Sequence, residues 1–460
     1  MRRVLLLATI ASLGAASLTL PAAAEQRFEA RLAGHAILPA ATFVPPPEGA
    51  PPGFSVSGRF AGANGLRLQQ PGSLMGNTGA AYGSRETGIA LPFQGQPVQG
   101  FSGIKPAGDG SYWVVTDNGF GARANSPDAM LMFHRVRPDF ATGRVEMMRT
   151  IFLSDPNGVV PFRITTEGSR ERYLTGADFD PESIQPLPDG TFYIGEEFGP
   201  YLIQVDAEGR VMRVVETRID NEAIRSPDHP AFTTPATPAG TVNFRARRSG
   251  GYEGMALTPD GQTLWALLEQ PLFVAGTDRP EGSFLRVLEF SLARNEWTGR
   301  NLRFQLAEGA TAIGDFNFID ATRALVIERD NGQGDPGLEC REGQRPPACF
   351  VQPARVKRVT LVDFSQVDAD GFVRKIGHID LMTMQDPDNR ARLRGDLPQG
   401  AAAGRFTFPF FTIENVAMVD GDHIIVANDN NLPFSAGRHL TRADDNEFIL
   451  LRVPEFLRAR

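Results

Sequence analysis

The chain has 460 residues, and its 54 acidic residues outnumber its 46 basic ones, which gives a formal net charge of −8. This acidic balance argues against nucleic acid and against an anionic membrane surface as partners. The 48 glycines and 35 prolines, together with the near absence of long helical periodicity, predict an all-β protein built from repeated units.

The first 24 residues have the features of a secretory signal peptide. Arg2 and Arg3 precede an apolar run over residues 4–20, and Ala22–Ala24 provides an A-x-A cleavage site. Cleavage after Ala24 is expected, and a retained anchor is the alternative, for which the apolar run is short. We therefore expect a periplasmic or secreted protein with no membrane insertion after cleavage.

Residues 25–96 form a segment of their own before the repeated part of the chain. They contain strand-like pieces at 28–38 and 53–62. We expect either a degenerate copy of the repeat that follows or strands that pair with the C-terminal residues 447–456.

One hairpin pattern then occurs five times. Each copy begins with a polar or acidic leading residue, runs through two β segments joined by a turn, and ends on acidic or amide side chains. In the first three copies a turn aspartate follows the leading residue at the same spacing, as in Glu182 and Asp189. The copies span residues 101–119, 180–200, 251–271, 314–332 and 412–431.

The intervals between the copies leave room for a second hairpin in each repeat. Four strands per repeat are the unit of a β-propeller blade. The pattern therefore predicts an all-β propeller of five to six four-stranded blades over residues 97–456. Six blades are preferred, because residues 25–96 offer material for one more.

The acidic and amide residues at the hairpin ends are the candidate metal ligands. If the hairpins are the inner ones of their blades, both of their ends meet at one mouth of the central channel. Two like charges at about 4 Å cost on the order of 4 kcal/mol at an effective dielectric near 20, so protons or cations must neutralise such a ring. The predicted ligands are Asp117, Asn118, Glu182, Glu253, Glu269, Glu328, Asp330, Glu414 and Asp429.

The ligand chemistry favours a hard cation. Oxygen ligands without histidine or cysteine favour Ca²⁺, followed by Mg²⁺ or Mn²⁺. Two copies depart from the glutamate pattern, with Ser102 leading the first copy and Asp315 or Asn317 leading the fourth. The alternative is that these side chains hydrogen-bond backbone amides and hold adjacent blades together.

A metal-assisted hydrolysis also needs a general base. Glu196 or Glu197 is the expected base, as a carboxylate that is not committed to the metal. Arg329 is flanked by acidic residues and can offer paired donors to a phosphate, with a salt bridge inside the ring as the alternative. Ser102 is not expected to be a nucleophile, because it lacks the second glycine of a G-x-S-x-G elbow.

The two cysteines, Cys340 and Cys349, lie close together in a stretch rich in glycine, proline and arginine. In an oxidising compartment they are expected to form a local disulfide that tethers a loop.

An ordered set of short motifs accompanies the repeat. These motifs are SGI at 102–104, DNG at 117–119, PES at 181–183, EEF at 196–198, YEG at 252–254, ERDN at 328–331 and IEN at 413–415. Over about residues 97–455 the chain resembles the phytase-like family, "esterase-like activity of phytase", of exported bacterial proteins. The resemblance implies a propeller related in architecture to calcium-dependent phytases and gluconolactonase-like proteins, and hydrolysis of phosphate or other esters. It implies no assignment of catalytic residues.

The leading functional expectation is an exported, metal-dependent hydrolase of a small-molecule ester or phosphate ester. The first alternative is a non-catalytic periplasmic binding or scaffold propeller with structural calcium, and the second is a sugar-acid lactonase. An exchangeable metal position would distinguish a catalytic cation from a structural one.

Overall fold

The computed structural model describes residues 25–62, 70, 72–232, 244–398, 400–401 and 403–460. The predicted signal peptide at residues 1–24 lies outside this part of the chain. Strands dominate the described residues, and the α-helix among them is α1 (Pro454–Arg458). No helix in the described ranges combines the length and apolar character that crossing a membrane requires.

The described residues before the first repeat copy include short strands and the 3-10 turns Pro52–Ser55 and Ala80–Tyr82. Its strands are β1 (Gln26–Phe28), β2 (Arg31–Leu38), β3 (Phe43–Val44), β4 (Val56–Ser57), β5 (Leu74–Asn77), β6 (Glu86–Leu91), β7 (Phe93–Gln94) and β8 (Gln96–Pro97).

The rest of the described chain forms antiparallel blades, each starting with one of the predicted hairpins. The first blade is β9 (Phe101–Pro106), β10 (Tyr112–Thr116), β11 (Met132–Asp139) and β12 (Arg144–Phe152). The second is β13 (Pro181–Pro186), β14 (Phe192–Glu196), β15 (Tyr201–Val205) and β16 (Val211–Glu216), followed by the small hairpin of β17 (Arg218–Ile219) and β18 (Glu222–Ala223). The third is β19 (Gly254–Leu257), β20 (Thr263–Leu267), β21 (Phe284–Ser291) and β22 (Glu296–Gln305).

The last two blades include strands from the N-terminal segment. The fourth blade is β23 (Ala312–Phe318), β24 (Arg323–Arg329), β25 (Lys357–Val367) and β26 (Val373–Asp380), with β1 added in parallel at its outer edge. The short strands β27 (Met384–Gln385) and β28 (Arg405–Phe406) then lead to the fifth blade, which is β29 (Thr412–Met418), β30 (His423–Asp429), β31 (Asn446–Arg452) and β2.

The described residues therefore hold five four-stranded blades, and the predicted propeller is confirmed. No sheet in these ranges provides the preferred sixth blade. Strand β2 instead pairs antiparallel with β31, from Arg31 opposite Arg452 to Leu38 opposite Asn446. This pairing is the alternative that the sequence offered for the N-terminal segment.

The ring is closed by packing as well as by strand pairing. The five inner strands β9, β13, β19, β23 and β29 each contact the next one around the axis, and β29 contacts β9. A separate buried apolar cluster fills each of the five junctions between blades; Ile104 of the first blade, for example, packs with Ile425 of the fifth. Burial of these clusters against both faces of every blade is what holds the ring together.

The inner strands approach one another too closely for side chains at some positions. At Gly314 an added Cβ atom would lie 1.8 Å from the carbonyl oxygen of Ile413. Glycine is therefore required where the fourth blade meets the fifth.

A network of buried polar side chains fills the axis below the channel mouth. The Nζ atom of Lys105 lies 3.4 Å from Oδ1 of Asp315 and also donates to Asn317, whose amide donates to the carbonyl of Val416 at 2.6 Å. Gln185 of the second blade donates to Asn317 at 3.4 Å. Asp315 and Asn317 therefore belong to this network, which links four of the inner strands.

The predicted disulfide is present between Cys340 and Cys349. It lies in the loop between β24 and β25, directly after the 3-10 turn Pro336–Leu338. The backbone nitrogen of Cys340 donates to the carbonyl of Phe350 at 3.0 Å, and the backbone nitrogen of Phe350 donates to the carbonyl of Leu338 at 2.9 Å.

Candidate functional site

Each inner hairpin begins and ends at the same mouth of the channel. The inner strand begins there and the second, antiparallel strand ends there, so leading and trailing residues of several blades face one another. They surround a cavity of about 340 Å³. The carboxylates that line it are Asp117, Asp180, Glu182, Glu197, Glu253, Glu269, Glu414 and Asp429.

The cavity carries a large excess of buried negative charge. Seven of its carboxylate residues are buried, and Asp117 is partly buried. Among the described residues that line the cavity, one side chain, Arg329, is cationic. One guanidinium cannot neutralise this set, so the remaining carboxylates must be protonated or must bind cations.

Two groups of carboxylates within the cavity have the spacing of metal ligands. Asp180, Glu182 and Glu197 each offer an oxygen atom, and these atoms lie within 4.8 Å of one another. Glu182, Glu253 and Glu414 meet the same limit. Glu182 belongs to both groups.

Hydrogen bonds from the first blade and from the third fix the first group. Both carboxylate oxygens of Asp180 accept from Asn118, at 3.1 Å from its backbone nitrogen and 2.7 Å from its side-chain amide. Oε1 of Glu197 accepts from the backbone nitrogen of Gly251 at 2.9 Å. These bonds also connect neighbouring blades, as the alternative interpretation of the acidic residues expects.

The second group contains an unpartnered buried oxygen. Oε2 of Glu414 accepts from the Ser102 hydroxyl at 2.9 Å. Oε1 of Glu253 has no hydrogen-bond partner among the described residues, and Nη2 of Arg329 lies 4.0 Å from it. A buried carboxylate oxygen in this state is unfavourable unless a ligand or a proton occupies the space beside it.

Burial and mutual repulsion raise the pKa values of the cavity carboxylates. The pKa values of Glu182, Glu197 and Glu253 lie well above the ordinary value, first because of burial and then because of the neighbouring carboxylates. Burial and the proximity of Asp429 raise the pKa of Glu414 to about 8. Removing the charge repulsion with a bound cation would return these groups to the ionised form.

Arg329 pairs mainly with glutamates of the cavity. Its Nη2 atom donates to Glu269 at 2.7 Å and to Glu414 at 3.4 Å, which is the salt bridge inside the ring that the sequence offered as an alternative. Burial works against its charge, but the surrounding glutamates raise its pKa above the ordinary value. Its Nε atom is buried and has no hydrogen-bond partner among the described residues.

The structure brings most of the predicted site residues together but leaves three of them elsewhere. Glu196 does not line the cavity, and its carboxylate accepts from the backbone nitrogens of Phe198, Gly199 and Tyr201. Glu328 is held inside the fourth blade by Arg358, Lys375 and Thr360. Asp330 accepts from the backbone nitrogens of Arg355 and Val356 and pairs with Lys357.

Asp180 is a cavity residue that the sequence did not single out. It stands directly before the PES motif, two positions ahead of Glu182. Its position near the leading residue Glu182 is the feature of the sequence that could have identified it. The repeat pattern does not include this position, so it gave no reason to select Asp180.

Two aromatic side chains lie at one side of the acidic cavity. Phe411 is part of the lining, and the Arg329 guanidinium lies 5.7 Å from the centre of its ring. Tyr82 of the N-terminal segment packs edge-on against Phe411, and its hydroxyl donates to the carbonyl of Asn331 at 2.7 Å. The N-terminal segment therefore contributes to the rim of the site.

The fold and the acidic cavity together define a β-propeller, with five four-stranded blades among the described residues and a candidate cation site at one channel mouth. The family model described as "Phytase-like: Esterase-like activity of phytase" matches residues 96–432. The chain belongs to this family.

Individual relatives are distant. An "Uncharacterized secreted protein" of Arthroderma benhamiae is 27% identical over 101 residues, which cover 20% of this chain and 20% of that protein. The chain thus spans a fifth of the length of the curated relative that it matches. The periplasmic gluconolactonase PpgL of Pseudomonas aeruginosa is 14% identical, with a TM-score of 0.32 over 83% of this chain and 99% of that one. The Bacillus subtilis arabinanase Arb43A is 10% identical, with a TM-score of 0.32 over 76% and 92% of the two chains. Structural similarity this low supports no conclusion about the present chain.

Proposed function

We propose that the protein is an exported hydrolase of esters or phosphate esters that depends on a divalent cation, with Ca²⁺ as the preferred ion. The observation that carries the proposal is the cavity of buried carboxylates around the unpartnered Oε1 atom of Glu253. Family membership supports the hydrolytic class. The disulfide between Cys340 and Cys349 and the secreted relative support export.

The donor set fits a hard cation. It consists of carboxylate oxygens, and neither group of closely spaced ligands contains a histidine or cysteine. Asp180, Glu182, Glu197, Glu253 and Glu414 would hold the ion. A bound cation supplies Lewis-acid polarisation of the ester oxygen and a more acidic water.

Two carboxylates outside both ligand groups are suited to proton transfer. Burial raises the pKa of Asp429 to about 6, so this residue is ionised at neutral pH and can act as the general base. The pKa of Asp117 is raised further, first by burial and then by Asp429, so Asp117 can hold the proton that the leaving group needs. We assign Glu197 to cation binding in place of its expected role as base.

Arg329 would orient the substrate. Its unpartnered Nε atom can donate to a carbonyl or phosphoryl oxygen while Nη2 keeps its bond to Glu269. Phe411 lies beside the guanidinium, with its ring centre 5.7 Å away.

The test is turnover by the mature protein of phosphomonoesters, phytate, aryl esters and lactones, with Ca²⁺ and with a chelator. Turnover should vanish on chelation and return with Ca²⁺. Asp429→Asn should lower kcat about 100-fold or more while Ca²⁺ binding persists, and the matched change Glu146→Gln on the outer strand β12 should alter neither.

A structural cation is the second candidate, and one observation favours it. Asp180 and Glu197 already connect neighbouring blades through Asn118 and Gly251. Ca²⁺ that raises the melting temperature without any turnover across the panel would support a binding propeller and contradict the hydrolase.

A further inference from the structure

The two ligand groups at the channel mouth share one residue. Glu182 contributes an oxygen to the group with Asp180 and Glu197 and an oxygen to the group with Glu253 and Glu414. It leads the second repeat copy and lies at the start of the inner strand β13, between the first and third blades. A carboxylate has two oxygen atoms, so it can serve one ion on each side.

A single cation in the first group would leave the second group unsatisfied. Glu253 belongs to the second group, and its Oε1 atom is buried without a hydrogen-bond partner among the described residues. Arg329 cannot supply the missing charge, because its Nη2 atom is 4.0 Å from Glu253 and is shared with Glu269 and Glu414 at shorter distances.

Each group also has a carboxylate that is held in place by a neighbouring blade. Asn118 of the first blade holds Asp180 with two hydrogen bonds. Ser102, also of the first blade, holds Glu414 of the fifth blade with one. Such outer contacts orient ligands for a metal without occupying all of their lone pairs.

We propose that the cavity binds two divalent cations bridged by Glu182, one with Asp180 and Glu197 and the other with Glu253 and Glu414. This inference rests on the cation dependence in the proposed function and adds the number of ions and their shared ligand. It also explains why five closely spaced carboxylates are tolerated beside one arginine.

The first measurement is the number of ions bound per chain. Metal-free protein is titrated with Ca²⁺ in a calorimeter, and the bound metal is measured after gel filtration. Two ions per chain are expected for the wild type and for the control Glu146→Gln. Asp180→Asn and Glu414→Gln should each retain one tightly bound ion, because each removes a charged ligand from a different group.

The second measurement reports on the bridge itself. Two Mn²⁺ ions that share a carboxylate are spin-coupled, so the wild type should lack the sharp hyperfine pattern of isolated Mn²⁺ in its electron paramagnetic resonance spectrum. Asp180→Asn and Glu414→Gln should restore that pattern with one ion bound. Glu182→Gln should weaken the binding of both ions. If this variant does not fold, Asp180→Asn and Glu414→Gln still provide the test.

The outcomes separate this inference from the proposed function. One ion per chain with chelation-sensitive turnover overturns the two-ion centre and leaves the hydrolase standing. Two uncoupled ions overturn the bridge by Glu182. Two coupled ions without turnover support the centre and contradict the hydrolase, and no bound ion overturns both.

Discussion

Removing the divalent cations is expected to make the stability of the protein fall as the pH rises from 6 to 8. In the metal-free protein the cavity carboxylates have raised pKa values, so the folded state keeps protons that the unfolded state has already released. The stability contributed by these protons is fully present below the unfolded pKa values. It is lost as the pH rises through the folded ones.

Glu414 sets the scale of the effect. Its pKa is about 8 in the folded protein, against an ordinary value of 4.5. Each pH unit between these values costs about 1.4 kcal/mol, so Glu414 alone removes about 2 kcal/mol of the free energy of unfolding between pH 6 and pH 8. Glu182, Glu197 and Glu253 have pKa values raised in the same direction and add to this loss.

The assay is urea unfolding at pH 6, 7 and 8 in buffers of equal ionic strength, with a chelator or with saturating Ca²⁺. The chelated protein should lose stability with rising pH, and the Ca²⁺-loaded protein should not, because the cation keeps the carboxylates ionised. Glu414→Gln should remove the contribution of this residue, so the chelated variant should lose about 2 kcal/mol less of its free energy of unfolding between pH 6 and pH 8 than the chelated wild type. Chelated protein that is equally stable at pH 6 and pH 8 would refute the raised pKa values and with them the need for a cation.

Three further outcomes follow from the structure. Lys105→Met should cost about 3–5 kcal/mol in urea unfolding, because it leaves Asp315 buried without its cation; a loss below about 1 kcal/mol would contradict this. Replacing Cys340 and Cys349 by serine should speed proteolysis of the loop without changing Ca²⁺ affinity, since neither residue lines the cavity; weaker Ca²⁺ binding would argue against that separation. If the protein hydrolyses phosphate esters, kcat/KM should be lower for phytate than for a phosphomonoester, because among the described lining residues one cationic side chain, Arg329, faces eight carboxylates. A preference for phytate would contradict this charge argument.

The repeat in the sequence predicted the hairpins but not the direction of every trailing side chain. Successive residues of a strand point to opposite faces. In the second blade this alternation turns Glu197 toward the cavity and Glu196 toward backbone amides. In the fourth blade it turns Arg329 inward and Glu328 toward Arg358. Where two charged residues are adjacent, the sequence does not show which of them faces the cavity. The strand register decides this, and it depends on bulges between the inner two strands.

The blade number could not be read from the repeat for a different reason. The strand that completes the fifth blade, β2, stands more than 400 positions from its partner β31 and carries none of the repeat's acidic residues. It pairs at the outer part of the blade, where no channel residue is needed. Local sequence patterns predict the inner hairpins well. Ring closure depends instead on a pairing between distant strands, here β2 with the open edge of β31, which no local pattern shows.

The closure of the ring and the geometry of the proposed cation site depend on each other. The proposed ligands come from the second blade, the third blade and the fifth, and the fifth reaches the first through the bond between Ser102 and Glu414. Without strand β2 the outer edge of β31 would lose its partner, and the junction that positions Glu414 would lose packing. A cation shared by Glu182, Glu253 and Glu414 would in turn link three blades across the axis and offset their repulsion. The same acidic residues that destabilise an empty ring can therefore stabilise a loaded one.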